Sequence, residues 1–179
     1  MLEPCYRTQE ENNVLKNLLA AGTSLLIVVL APLASASDSA ATSDKPPIEV
    51  ANAAEKGSLR NPYTDADAEI VEQGKQLYFS KSCNGCHGGG GGGGMCPPLS
   101  NDVWIYDGDD DTLFRLIALG TDEIVKQGYS RKRTENVKGP MIPFGKLIDT
   151  EDDMWKIITF IRSNYRGGES NKYGSQKAP

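Results

Sequence analysis

Cys83-Asn84-Gly85-Cys86-His87 is the stretch on which the reading of this chain turns. A C-x-x-C-H pentapeptide is the attachment signal for a covalent c-type haem. Two thiols add across the vinyl groups of the porphyrin, and the adjoining imidazole lies under the iron as its proximal ligand. Cys83 and Cys86 are therefore the expected thioether positions and His87 the expected iron ligand. Other chemistries use a similar spacing. A thioredoxin-like C-x-x-C needs a surrounding βαβ pattern, and none is visible. A zinc site needs four nitrogen or sulfur ligands. His87 is the single histidine of the chain and Cys96 the nearest further cysteine. A Cys3His set is thus conceivable, but the glycine run Gly88 to Gly94 argues against a rigid knuckle.

Working outward, 179 residues leave room for one domain with extensions. Leu18 to Leu33 is apolar and is followed by Ala34-Ser35-Ala36, a small-residue cleavage signature. The run falls short of the ~20 residues that span a bilayer comfortably. Residues 1–36 are read as a secretory signal peptide, with an uncleaved anchor as the lesser reading. The first part carries Glu3, Glu10 and Glu11 against Arg7 alone, the wrong charge for the start of a signal. Translation beginning near Val14 would place Val14-Leu15-Lys16 correctly ahead of the apolar run. Export puts the protein in the periplasm, in keeping with a haem attached outside the bacterial inner membrane.

Lys and Arg number 19 against 24 Asp and Glu, a net charge of −5. That balance argues against nucleic acid as a partner and suits a carrier that meets other proteins. Residues 37–62 are rich in Ser, Ala, Asp, Lys and Pro, without an apolar period, and read as a flexible arm. Residues 167–179 read as a similar tail. The folded domain is expected over 63–166, a usual domain size. A single C-x-x-C-H implies a single haem.

Three helices stand out inside that domain. In the first, Ile70, Gly74, Leu77 and Tyr78 share a face. Gly74 is costly in mid-helix, so either another backbone packs closely there or the glycine is merely tolerated. The second begins near Asp111-Thr112 behind an acidic run that suits the helix dipole, and Gly120 stops it. The third opens on Thr150-Glu151-Asp152-Asp153, a capping-box-like start, and carries the stripe Met154, Ile157, Ile158, Ile161. No alternating strand pattern competes, so the expected fold class is all-α.

The motif follows the first helix, and most of the domain follows the motif. That order resembles class I cytochromes c, in which N- and C-terminal helices pack around one haem. Four-helix cytochromes c′ carry the motif near the C-terminus and fit poorly. With no second histidine, the sixth ligand must come from elsewhere, and methionine opposite histidine raises the reduction potential. Met141 lies in Gly139-Pro140-Met141-Ile142-Pro143-Phe144-Gly145, stiffened by proline and shortly before the last helix, where class I cytochromes place their ligand. It is the favoured distal ligand and Met95 the alternative; Met154 belongs to the apolar stripe. Pro97-Pro98-Leu99 resembles the class I P-x-L segment, which implies a Pro97 carbonyl on the proximal imidazole and Leu99 against the haem. The glycine run before it has the blander reading of a low-complexity linker.

Leu99, Trp104 and Tyr106, in that spacing after C-x-G-C-H-G, resemble cytochrome c-L, as does the ending Trp155-Lys156-Ile157-Ile158. The likeness covers about residues 74–166. It implies Trp104 in the haem environment, a PQQ-dependent methanol or alcohol dehydrogenase as electron donor, and another cytochrome c or an oxidase as acceptor. Such a protein is an electron carrier and not an enzyme. A carrier with another donor, or a haem enzyme or sensor with an open sixth site, are the rivals. The glycine run and a long segment 120–138 bearing Arg131-Lys132-Arg133 depart from that family. The basic cluster reads as a solvated loop or as a docking aid. Asp107, Asp109, Asp110 and Asp111 read as cap and turn residues, with calcium a remote alternative. Cys96 is left unpaired once Cys83 and Cys86 hold haem, and is either reactive, intermolecularly paired or inert.

Overall fold

The computed structural model describes residues 42–135, 139–174 and 176. The expected signal segment at 1–36, the alternative start near Val14 and Cys5 lie outside the described residues. Within them the chain is all-α, with seven helices and no strand. These are α1 (Pro47–Ala53), α2 (Ala68–Ser80), α3 (Cys83–His87), α4 (Asp110–Leu119), α5 (Thr121–Lys126), α6 (Glu151–Ser163) and α7 (Glu169–Lys172). No helix among the described residues is long and apolar enough to cross a membrane.

The three long helices start where their side chains satisfy the free N–H groups of a first turn. The Asp67 carboxylate accepts from Glu69 and Ile70 N–H at the head of α2. Asp109 accepts from Thr112 N–H at 2.9 Å at the head of α4. Thr150 Oγ1 accepts from Asp153 N–H at 3.1 Å at the head of α6. Gly120 ends α4 with a φ of 77°, a backbone state that side-chain-bearing residues rarely adopt.

Helices α2 and α6 pack directly on one another. A Cβ placed on Gly74 would collide with the carbonyl oxygen of Lys156 and lie 3.0 Å from Phe160 Cβ, so the glycine is what lets the two backbones approach. Beside it, the rings of Tyr78 and Phe160 lie 5.1 Å apart. Phe114 of α4 meets Trp155 of α6 at 4.6 Å. Tyr78, Phe114, Met154, Trp155, Ile157 and Ile158 are buried and form the centre of the core.

The folded body is wider than 63–166. From Thr42 onward the expected flexible arm is packed, with Ala51 and Leu59 buried. Ile48 N–H donates to Gly145 O at 3.2 Å, and Ser43 N–H donates to the Glu151 carboxylate at 2.9 Å. The buried Arg115 guanidinium donates to the carbonyls of Ala51, Ala54 and Glu55, serving as a C-terminal cap for α1 supplied from α4. The expected tail is corrected likewise. Asn171 and Tyr173 are buried, Lys172 pairs with Asp65, and Gln176 bonds Asp110. Both segments lack a long apolar period because the side chains that pack, such as Ala51 and Leu59 in the first and Tyr173 in the second, are spread over short turns, and distant residues satisfy their backbones.

The acidic run does more than cap. Asp109 is the N-cap, but Asp110 and Asp111 are buried and pair with Arg162 and Arg115 respectively. Asp107 pairs with Lys132. These carboxylates are engaged with side-chain cations that tie α4, α6 and the 129–135 segment together.

Candidate haem site

The motif forms its own helical turn. Ser82, in a left-handed conformation with φ 63°, turns the chain out of α2, and α3 is Cys83 to His87 itself. His87 Nδ1 lies 2.8 Å from the carbonyl oxygen of Pro97. A carbonyl only accepts, so Nδ1 carries the proton and Nε2 is left with its lone pair. Such a partner fixes both the tautomer and the ring orientation of a metal-binding imidazole. Burial lowers the pKa of His87, and the bond to Pro97 partly offsets it. The neutral, ligating form is therefore favoured.

The glycine run between His87 and Pro97 is a folded loop and not a linker. Gly93 N–H donates to His87 O at 2.8 Å, Cys96 N–H to Cys86 O at 3.0 Å, and Leu99 N–H to Gly91 O at 2.6 Å. The Tyr78 hydroxyl donates to Gly88 O at 2.7 Å, fastening the loop to α2. Gly91 and Gly93 have φ values of 72° and 92°, and a Cβ on either would press within 3.2 Å of Leu99 or Pro98. The run turns sharply enough to return Pro97 to the imidazole it accepts from.

His87 and Cys83 line an apolar cleft of about 290 Å³, at the lower edge of the ~300–1,000 Å³ usual for cofactor sites. Leu99, Trp104, Tyr106, Ile117 and Ile157 contribute to its walls. Burial pushes the Cys83 thiol up to about 11. Cys86 is half-buried. Cys96 lines the cleft next to Cys86, and burial together with a hydrogen bond to Cys86 raises its pKa.

The three methionines of the domain separate clearly. Met141 is half-buried and lines the same cleft as His87. Met95 is 60% exposed and is not part of the wall, whereas Met154 is fully buried in the core. The Met141 backbone is held from both sides by one residue. Its N–H donates to Thr121 Oγ1 at 3.0 Å, and Thr121 N–H donates to Met141 O at 2.9 Å. Phe144 and Gly145 N–H groups donate to Ile117 and Ala118 carbonyls at the end of α4. Thr121 escaped the sequence reading; its only signal was its place directly after the helix-stopping Gly120.

Pro97, Leu99, Trp104 and Tyr106 all reach the cleft. Trp104 Nε1 donates to Leu99 O at 2.8 Å, and its ring lies 4.6 Å from that of Tyr165. The basic cluster is not a free solvated loop. Lys132 and Arg133 N–H groups both donate to Ile105 O, at 2.8 and 3.1 Å, and Arg131 reaches the cleft.

These residues fit a haem. An apolar slot is bordered by a motif cysteine, an imidazole with one nitrogen free, and a thioether on a braced loop. Cys83 and Cys86 would anchor the ring, and His87 and Met141 would hold its iron. When bound, the haem supplies an iron that exchanges one electron between Fe(III) and Fe(II). The chain's own contribution is to orient His87 through Pro97, hold Met141 through Thr121, and exclude water with an apolar wall.

A search of curated proteins found no match. Among solved structures the chain is similar to cytochrome CL from the marine methylotrophic bacterium Methylophaga aminisulfidivorans MPT. The two are 25% identical, over 64% of this chain and 71% of that one, with a TM-score of 0.43. The family model for cytochrome c matches residues 71–164. That span starts within α2, takes in the C-x-x-C-H turn and the Met141 loop, and ends just past α6. The chain therefore belongs to the cytochrome c family, as an electron-transfer protein of class I fold with covalently bound haem c.

Proposed function

We propose that this chain is a periplasmic electron carrier that takes single electrons from a PQQ-dependent methanol or alcohol dehydrogenase. It hands them on to another cytochrome c or an oxidase. In this reading Cys83 and Cys86 form the thioethers, His87 is the proximal ligand and Met141 the distal one. The mature protein follows cleavage after Ala36. The observation that carries the ligand assignment is the sharing of one apolar cleft by His87 and Met141, with Met95 outside it. With His87 and Met141 both serving the iron, the site would leave no position for a substrate, which suits electron transfer. Methionine opposite histidine also sets a high potential, suited to accepting electrons from a quinol cofactor. The donor is supported by the Leu99, Trp104, Tyr106 spacing, whose three residues all border the cleft.

Stopped-flow mixing of the oxidised holo-protein with reduced PQQ methanol and ethanol dehydrogenases tests the donor. Rapid appearance of the ferrous spectrum with one of them is expected. Reduction by neither sinks the donor assignment and leaves the carrier intact. Carbon monoxide binding to the reduced protein at neutral pH would instead reveal an open sixth site.

A further inference from the structure

Cys96 lies outside the attachment motif, yet it does not stand alone. Its thiol is in hydrogen-bonding contact with that of Cys86, and Cys96 N–H donates to Cys86 O at 3.0 Å. Backbone-bonded pairs typically have Cα atoms about 5.5 Å apart, within the ~4.4–6.8 Å that a disulfide bridges. Among the described residues Cys83 shares no side-chain hydrogen bond with Cys86 and lines the cleft instead. Cys83, Cys86 and Cys96 are all free thiols and half-buried. The second motif cysteine therefore has a thiol partner in place, and that partner is not the first motif cysteine.

The approach is built locally. Gly94 N–H donates to Cys96 O at 3.1 Å, Gly93 N–H to His87 O at 2.8 Å and Leu99 N–H to Gly91 O at 2.6 Å. A Cβ on Gly94 would lie 3.0 Å from Cys86 O, so the glycine lets the returning strand of the loop press on the motif. Each of these bonds joins residues of the 86–99 segment to one another. Cys96 can reach Cys86 without the rest of the domain, and a ~10-residue loop closes in about 10–100 ns.

Resting on the haem reading of the site, we infer that before haem is attached Cys86 and Cys96 are joined in a disulfide, which withholds the second attachment thiol and leaves Cys83 free. The oxidant is a protein or glutathione disulfide, a class at home in an oxidising exported compartment. One cysteine thiolate attacks it to give a mixed disulfide, and the other displaces the external thiol. One S–S bond breaks in the oxidant and one forms in the chain. The two hydrogens of the cysteine thiols end on the two thiols released, so the oxidant is reduced by two electrons. While the bond stands, Cys86 has no S–H to add across a vinyl group. A dithiol reductant reverses the exchange and returns it.

The mature chain, prepared without haem, is exposed to oxidised glutathione, alkylated at intervals, digested and mapped by mass. The wild type should lose two hydrogens, with Cys86 linked to Cys96 and Cys83 alkylated. Cys83→Ala should form the same bond at the wild-type rate. Cys96→Ser, left only the Cys83 pairing, should lose its Cys86 thiol more slowly than the wild type. A principal bond between Cys83 and Cys86, no internal bond at all, or equal rates in Cys96→Ser and the wild type overturns the pairing. The holo-protein is mapped in parallel. With both motif sulfurs held as thioethers, Cys96 should be its one alkylated cysteine. Protein carrying no haem on Cys83 and Cys86 overturns the haem reading itself, whereas a wrong bond in the haem-free chain overturns the pairing alone.

Discussion

Gly74 of α2 lies against the backbone carbonyl of Lys156 in α6, with no room between them for a methyl group. The contact sets how closely the two long helices approach, and through Tyr78 it bears on the haem loop, since that side chain packs on Phe160 and bonds Gly88 O. Replacing Gly74 with alanine gains about 1 kcal/mol of helix propensity. It forces a collision with backbone, and overpacking costs about 1–3 kcal/mol. Backbone cannot swing aside as a side chain does, so the upper part of that range applies and the net effect is destabilising. Guanidinium denaturation of Gly74→Ala holo-protein should show a lowered midpoint. A midpoint at or above the wild type would mean the helices separate freely.

Met141 and Met95 make opposite predictions. Met141→Ala removes the thioether from the cleft and is expected to abolish the weak methionine-to-iron absorption band and to lower the potential. Met95 is 60% exposed, so Met95→Ala should leave both unchanged. Optical spectra of the two ferric variants decide it, and the reverse pattern would transfer the ligand to Met95.

The C-terminal segment is a structural part of the domain. Ending the chain at Arg166 removes the buried Tyr173, the partner of Asp65 and the Gln176 contact to Asp110. Burial of one large side chain is worth about 1.5–3 kcal/mol, so unfolding of the truncated holo-protein should move to clearly lower denaturant. An unchanged midpoint would return these residues to the status of a loose tail.

Stability should fall at both ends of the pH scale. Burial alone would raise the Asp111 pKa, but hydrogen bonds from Tyr129 and Arg115 hold it below its ordinary value. In Asp152, burial is outweighed by bonds from Lys156, Tyr63 and Thr42. In Asp65 it is outweighed by Lys172 and Tyr173. A carboxylate with a depressed folded pKa contributes stability above its unfolded pKa of ~3.9, and loses it as pH falls through the folded value. Tyr63 and Tyr173 shift the other way, each up to about 12, through burial and, respectively, the Asp152 and Asp65 carboxylates. A raised tyrosine contributes below its unfolded pKa of ~10 and loses that contribution as pH climbs through the folded one. Thermal unfolding of the holo-protein should show a plateau across neutral pH, with losses below about 4 and above about 10. Tyr63→Phe should shallow the alkaline limb; an alkaline limb identical to the wild type would show that Tyr63 contributes nothing to it.

Long-period features were legible in the chain because they are local. Helices α2, α4 and α6 announce themselves through apolar spacing, and the last two also through the acidic run at Asp109 and through Thr150, which cap backbone within three residues; the Asp67 cap of α2 went unread. Helix α1 is not legible in the same way because its C-terminal carbonyls are satisfied by Arg115, far along the chain. Helix α7 is hidden because it has a single turn and its anchors, Asp65 and Gly108, are remote. The basic segment reads as free because the carbonyl that binds it belongs to Ile105.

By itself, the sequence determined the cofactor chemistry. Two thiols and an imidazole must be adjacent to hold one ring, and Cys83 to His87 meets that demand within five residues. The lone histidine likewise required a different sixth ligand. The tertiary structure decided which methionine reaches the cleft. Met95 is nearer in sequence but is turned outward by the glycine loop, whereas Met141 is carried to the cleft by its two bonds to Thr121. It also decided that the polar flanks belong to the fold, and that Arg131 stands at the cleft edge. These outcomes depend on contacts between residues distant in the chain, which local spacing does not encode.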